Sequence, residues 1–304
     1  MVTDMNATTT TLRRHPQRPG AFPATRLAPA RTKSTSYRRA RAWRRWTAVE
    51  QLMGTVFSIQ LIRPPEDERE RFDRAVANCW DELRDVERRF TPHREMSDLR
   101  RIARGELSLA RADKRLREVE ALSREALERT GGRFDAWRDG WFDPTGLVKA
   151  WAVDHVAQRH LYPLLKNLGA AAVGINAGGD MRLFTAPTSA WRWGVGILDP
   201  TRDDRRVLAT VEIADGAVAT SGTAERGARI VDPRTGQPAT SVASATVLAD
   251  TLAEAELWAT TAVVAGFDDL TWLDQANVRS GLLVAPDGRV RRWAGAVELD
   301  AKAA

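Results

Sequence analysis

The chain has almost no cysteine: one in 304 residues, Cys79. No internal disulfide can form, which speaks against a small, oxidised, secreted scaffold. Long apolar runs are missing too. No stretch approaches the roughly 18 apolar residues of a membrane-spanning helix. No apolar run of about 7–15 residues follows the basic N-terminal stretch, so no secretory signal is predicted. Nor does a cysteine lie near the start to carry a lipid. The expected compartment is the cytoplasm. Acidic residues are scarce at one end only. Residues 1–48 hold eleven Lys and Arg against a single acid, Asp4, whereas the whole chain is +6, so the remainder is near −4. The high isoelectric point therefore describes a tail and not a domain.

What is present is an ordinary apolar share of 43% on a chain long enough to bury a core. The predicted organisation is a basic tail over 1–45, aperiodic and read as disordered, then one folded domain over 46–304. Arg38, Arg39, Arg41, Arg44 and Arg45, with Trp43 and Trp46, could dock on nucleic acid or an acidic surface. A solvated tail or an over-extended reading frame is the plainer account of them, and nucleic acid is not the expected partner.

Residues 54–62 alternate as a strand. Helices are predicted over about 67–90, 97–103 behind a Ser97 cap, 113–130 stopped by Gly131-Gly132, and 147–161 ending before Pro163. Phe72, Val76, Cys79, Leu83, Val86 and Phe90 share one face of the first, so Cys79 reads as a small core residue. Short strands follow at 171–176, 181–184, 193–198, 207–213, 217–220 and 243–249. A helix over 252–265 comes next, then a strand pair, 280–285 and 289–293, joined by Pro286-Asp287-Gly288. Helices early and antiparallel strands late make the fold class α+β.

Four polar clusters stand in apolar surroundings. Arg133-Phe134-Asp135 follows a glycine helix stop. Asp143 to Lys149 opens a helix, a setting that suits a phosphate. Asn176-Ala-Gly-Gly-Asp180 is a turn that lets backbone approach a ligand. Caps and turns explain each of these as well. Glu256 and Thr260 lie four apart on an apolar helix, hence on one face, and their hard oxygens suit Mg²⁺. An exposed Glu beside an inward Thr is the plainer alternative.

The order of the motifs is more specific than any one of them. Met53-Gly54-Thr55, Phe90-Thr-Pro-His93 with Ser97-Asp-Leu99, Gly132-Arg-Phe-Asp135, Asp143 to Asp154, Asn176 to Asp180, Ala219 to Pro238 and Ala255-Glu-Leu-Trp-Ala-Thr260 run in that sequence. This ordered set resembles the ApbE-type FAD:protein FMN transferases, formerly described as thiamine-biosynthesis lipoproteins, from about Met53 to Gly266. The resemblance implies a T-fold-like architecture of two lobes around a flavin cleft. It implies a Mg²⁺-dependent enzyme that moves FMN from FAD to a Ser or Thr hydroxyl of an acceptor flavoprotein and releases AMP.

By motif match, Met53, His93, Phe134, Asp135, Asp143 and Lys149 would hold FAD. Asn176, Gly178, Gly179, Thr220, Ser221, Gly222 and Ile230 would line the same cleft. Glu256, Thr260 and the carbonyl of Gly146 would bind the metal. Lys149 would also serve catalysis by neutralising phosphate. Glu256 stands where the family usually has Asp, His93 where it has an aromatic, Ala150 where it has Gly, and Ala103 where it has Asn. Arg229 replaces a usual His; arginine stays protonated, which leaves Asp232 or a water at the metal to take the proton. Two alternatives keep the site and change the outcome: a FAD hydrolase with water as acceptor, or a FAD-binding carrier or sensor without turnover.

Overall fold

The computed structural model describes residues 27–29, 43–202, 204–222 and 230–299. Twelve strands and six α-helices are formed among them. The strands are β1 (Leu27–Pro29), β2 (Arg45–Leu52), β3 (Thr55–Ile62), β4 (Ala172–Ala177), β5 (Asp180–Thr185), β6 (Trp193–Leu198), β7 (Val207–Ile213), β8 (Gly216–Gly222), β9 (Ser244–Ala249), β10 (Val278–Val284), β11 (Val290–Ala294) and β12 (Val297–Leu299). The helices are α1 (Arg69–Phe90), α2 (Asp98–Ala103), α3 (Lys114–Arg129), α4 (Thr145–Val156), α5 (Tyr162–Asn167) and α6 (Leu252–Ala265). The fold is α+β, as expected. No helix among the described residues is long and apolar enough to cross a membrane.

Nine strands form one antiparallel sheet in the order β12-β11-β10-β9-β8-β5-β4-β3-β2, and β1-β7-β6 form a second. Alternation along the strands gives the large sheet two buried faces. Phe57, Ile59 and Leu61 of β3 look toward the helices, while Val218, Leu248 and Leu282 look toward Val195, Ile197 and Val211 of the small sheet. The four-stranded halves β2–β5 and β8–β11 meet at the β5–β8 pairing, Met181 to Leu183 against Gly216 to Val218. Inside the segment read as a tail, Leu27–Pro29 pairs with β7.

The apolar stripe of α1 is fully buried. Cys79 sits in it, its Sγ facing the carbonyl of Val156 at 3.9 Å. Burial, with the nearby Glu82 charge, pushes its thiol up to about 12. We expect Cys79 to ignore a disulfide reagent at pH 8 in the native protein and to react fully in denaturant. Reaction at the rate of a free thiol without denaturant would contradict this packing.

Two sequence expectations need correction. The helix from Thr145 does not end before Pro163: it passes through one wide turn, Ala157–Leu161, and resumes as α5 with Pro163 in its first turn. A first-turn residue has no intrahelical N–H partner to lose, so proline is tolerated there. Strand β2 was not anticipated. Its inward positions read Trp46, Ala48, Glu50 and Leu52, and the carboxylate hides the alternation. Glu50 is accommodated by Arg84 of α1 at 2.8 Å.

A charged network fastens α1 to α2 and α3. Asp85 accepts from Arg88, Arg89 and Arg115; Arg89 also reaches Asp98 at 2.8 Å, and Arg115 reaches Asp113 at 3.0 Å. Burial raises the proton affinity of Asp85, but the hydrogen bonds from Arg115, Arg89 and Arg88 outweigh it and hold the carboxyl well below its usual range. The Arg115 bonds lower Asp113 to about 2. A depressed folded-state pKa stabilises above the ordinary value near 3.8 and ceases to do so as pH falls through the folded value. Asp85→Asn should therefore cost on the order of 1–2 kcal/mol at pH 7 and make the decline in Tm between pH 4 and 2 shallower. Melts at a series of pH values check it; an unchanged profile would remove the network from the stability account.

Candidate active site

Helix α4 begins where Asp143 turns its carboxylate onto the N–H of Thr145, at 3.0 Å, the usual means of satisfying a free donor at a helix start. Gly146 lies in that first turn and the Phe134 ring rests on it: a β-carbon there would come within 3.1 Å of Phe Cε2. Phe134 is held in turn by its N–H on Thr130 Oγ1 at 3.0 Å, and Asp135 accepts from Trp137 N at 2.7 Å. One turn further along α4, the Lys149 ammonium meets the Asp180 carboxylate.

Asp180 is the centre of the arrangement. It is 3% exposed and opens β5. One oxygen takes Lys149 and the other accepts the backbone N–H of Thr220 on β8 at 3.1 Å. It therefore bridges α4 and both halves of the sheet at their junction. The turn before it is shaped by Asn176, whose Oδ1 accepts from Gly179 N at 2.8 Å, and by Gly178 at φ 67°. A side chain on Gly178 would strike Thr55 Oγ1 at 2.3 Å. That contact sets the turn against the β2–β3 hairpin, whose tip is Met53-Gly54. Both tip residues have positive φ, 48° and 73°, the two-residue turn that matches strand twist.

Strand β8 divides its side chains by alternation. Ala217 and Ala219 join the helix-side core and Val218 joins the other. Ser221 follows the first pair: its Oγ lies 2.9 Å from Thr260 Oγ1 on α6. Thr220 follows Val218, and its hydroxyl meets Thr246 at 2.9 Å. Only the backbone of Thr220 faces Asp180. Gly222 admits the β9 backbone, since a β-carbon would lie 2.4 Å from the Ala243 carbonyl.

Helix α6 is apolar on every side, as a helix packed between a sheet and α4 should be. Its two carboxylates take different directions. Glu254 is gripped by both arms of Arg129, at 2.6 and 2.7 Å, and by Trp258 Nε1 at 3.1 Å. Glu256 is 3% exposed and shares its face with Thr260. With the carbonyl expected of Gly146, this carboxylate and hydroxyl would make an all-oxygen donor set of the kind Mg²⁺ takes. No group of three or more His, Cys, Asp or Glu among the described residues could hold a metal.

Asp154, near the end of α4, is a buried carboxylate to which sequence reading gave no role. Burial pushes its carboxyl up to about 6 against the lowering influence of the Leu252 and Ala253 N–H groups and Arg182.

The loop 230–238 closes on itself through Ala239 N to the Ile230 carbonyl at 2.9 Å and the Val231–Pro238 bridge. Its Asp232 is doubly bound by Arg234, at 2.9 and 2.7 Å, and that pairing lowers its proton affinity. The Arg234 stem lies 3.5 Å from where a β-carbon of Gly132 would be, so the loop rests on the turn before Phe134. Arg229 lies outside the described residues. His93 stands apart, exposed in the α1–α2 connection with its N–H on Thr91 Oγ1 at 3.3 Å. The structure joins Lys149, Asp180, Thr220, Ser221 and Thr260 by hydrogen bonds and brings no such bond from His93.

The ApbE family model matches residues 138–281, which contain thirteen of the residues expected at the site, from Asp143 to Thr260, and exclude Met53, His93, Phe134 and Asp135. The FAD:protein FMN transferase of Salmonella typhimurium is 28% identical over 153 residues, 47% of this chain and 42% of that protein. That of Vibrio cholerae is 32% identical over 146 residues, 45% of this chain and 42% of its own length. The chain thus matches less than half the length of these curated relatives. Among solved structures, the ApbE protein of Thermotoga maritima superposes with a TM-score of 0.67 at 20% identity, covering 82% of this chain and 97% of that one. The flavin transferase ApbE of Vibrio cholerae gives 0.64 at 20% identity, covering 83% and 97%. Over residues 138–281 this chain is thus similar in sequence to the ApbE family, and it shares the fold of the ApbE proteins.

Proposed function

We propose that the chain is a Mg²⁺-dependent FAD:protein FMN transferase. The observation that carries this reading is the Lys149–Asp180–Thr220 bridge, which draws the start of α4, the Gly178-Gly179 turn and β8 to the Ser221–Thr260 contact on α6. A phosphate at the first turn of α4 would meet the positive end of the helix and the Lys149 ammonium, already aimed by a buried carboxylate. Phe134 and Met53 supply apolar surface for the flavin end, and the glycine turn lets backbone come close to it.

In the reaction, a Ser or Thr oxygen of the acceptor protein forms a bond to the phosphorus of the FMN half. The bond from that phosphorus to the bridging oxygen breaks, and AMP leaves with that oxygen. Lys149 offsets charge on the phosphate oxygens as they part. Bound Mg²⁺, held by Glu256, Thr260 and the Gly146 carbonyl, would supply further neutralisation of the pyrophosphate. Asp232, kept ionised by Arg234, accepts a hydrogen bond from the incoming hydroxyl; being a weak base, it passes the proton on to water.

The test mixes the protein with FAD, Mg²⁺ and an acceptor fragment bearing a flavinylation motif, and reads intact mass. A gain of one FMN, lost with EDTA, is expected. Arg229, where the family usually has His, favours a second reading: a FAD carrier without turnover. If FAD binds and no mass is gained, Arg229→His should restore transfer in a degraded transferase and change nothing in a carrier.

A further inference from the structure

We propose that Asp154 is a positioning residue that clamps α6 to α4 and thereby sets Glu256 and Thr260 against Gly146 and Lys149; this rests on the transferase reading of the site. Glu256 and Thr260 stand on α6, Gly146 and Lys149 on α4, and no covalent connection shorter than 95 residues fixes one helix against the other. Asp154 supplies the link. It leaves the last turn of α4, and its two oxygens accept the first two N–H groups of α6, Leu252 at 2.9 Å and Ala253 at 2.8 Å. Helix N-termini are normally capped by a neighbouring residue in the chain, and here Thr251 does only part of that work, accepting from Glu254 N at 3.3 Å.

The clamp is itself anchored. Arg182 Nε lies 3.3 Å from Asp154, and the same guanidinium donates to the carbonyls of Leu183 and Gly216, at 3.1 and 2.8 Å, on the two strands that join the halves of the sheet. The carboxylate also faces the positive end of α6. The distances along each helix are short: Gly146 is eight residues back, about 12 Å, and Glu256 one turn forward, about 6 Å. A helix loosened at Leu252 and Ala253 would turn Glu256 by up to about 100° for each residue of register lost.

The test compares wild type, Asp154→Ala and Asp154→Asn in two measurements: the Mg²⁺ concentration that half-saturates the effect on FAD binding, and amide hydrogen exchange over residues 252–256. Loss of an outer-shell support typically weakens metal binding 10–100-fold, and a rise of that size is expected for Asp154→Ala, with faster exchange at the start of α6. Asn keeps one acceptor and the side-chain volume, so it should recover part of both effects and remain folded if Ala does not. Asp113→Ala, which removes the cap accepting from Arg115 N of α3, controls for general destabilisation: it should lower Tm and leave the Mg²⁺ requirement alone. Unaltered half-saturation in folded Asp154 variants would overturn the clamp even where wild type transfers FMN. A wild type without Mg²⁺ response would instead sink the metal-dependent reading, and unaltered exchange at 252–256 would then sink the clamp separately.

Discussion

Asp180→Ala is expected to damage both stability and transfer more than any other single substitution near the α4 start. The carboxylate is buried and carries two obligations, the Lys149 ammonium and the Thr220 N–H. Truncation leaves a mostly buried cation without its partner, a loss of about 3–5 kcal/mol where such pairs are broken from one side. Lys149 then has no fixed direction, and loss of an aimed charge at a developing anion typically lowers rate by about 10²–10³-fold.

Stability and chemistry can be separated by removing both charges. The double variant Lys149→Met, Asp180→Leu exchanges an ion pair for apolar volume, which is often neutral or better for stability. Thr220 N–H would still lack its acceptor, at about 1–3 kcal/mol. The double variant should therefore melt closer to wild type than Asp180→Ala does, yet transfer no better. Thermal melts and intact-mass assays on the three proteins decide the matter. If the double variant regains transfer, the pair is structural and Lys149 does not act on phosphate.

The parts of this site that sequence discloses are those governed by local rules. Helix α6 spans Leu252–Ala265, and β6 and β7 have the bounds their alternation predicts. The cap at Ser97 is in place, since capping depends on a hydroxyl two or three residues from the donor. The common face of Glu256 and Thr260 follows from helical spacing alone. The alternation of β8 could also have shown that Thr220 turns its hydroxyl away from Ser221.

What joins these pieces was not legible, because each link spans a distance that no local pattern encodes. Asp180 stood in a turn motif as one polar residue among several. Its role depends on Lys149, 31 residues away, and Thr220, 40 away. Asp154 meets α6 across 98 residues, and Arg129 finds Glu254 across 125. Arg129 is also the reason that the two α6 carboxylates are not equivalent, a distinction invisible in the string Ala253-Glu-Ala-Glu-Leu257. Proline misled for the opposite reason: the local rule was sound, but a wide turn placed Pro163 where its missing N–H costs nothing.

Glu256→Gln should abolish transfer while leaving the fold as stable as before, or more so. A carboxylate buried in an apolar helix is kept at a cost in stability, and an amide of equal size relieves that cost. Polar contacts that tolerate an amide survive, so Tm should hold or rise. An amide is a much poorer ligand for a hard divalent ion than a carboxylate. A loss of about 10³-fold in rate, equivalent to about 4 kcal/mol of barrier, is the expected size for removing the charged protein ligand of a catalytic Mg²⁺. Raised Mg²⁺ should recover part of it. Glu256→Asp restores the residue usual in the family at the cost of one methylene, and should keep transfer within about 10-fold of wild type if the metal can follow the shorter side chain. The informative comparison is between Tm and rate across Ala, Gln and Asp. Loss of activity in step with loss of Tm would make Glu256 a packing residue. Gln at full activity with an unaltered Mg²⁺ requirement would remove it from the metal site. Activity lost at constant or rising Tm, and regained with Asp, is the pattern of a residue retained for what it binds.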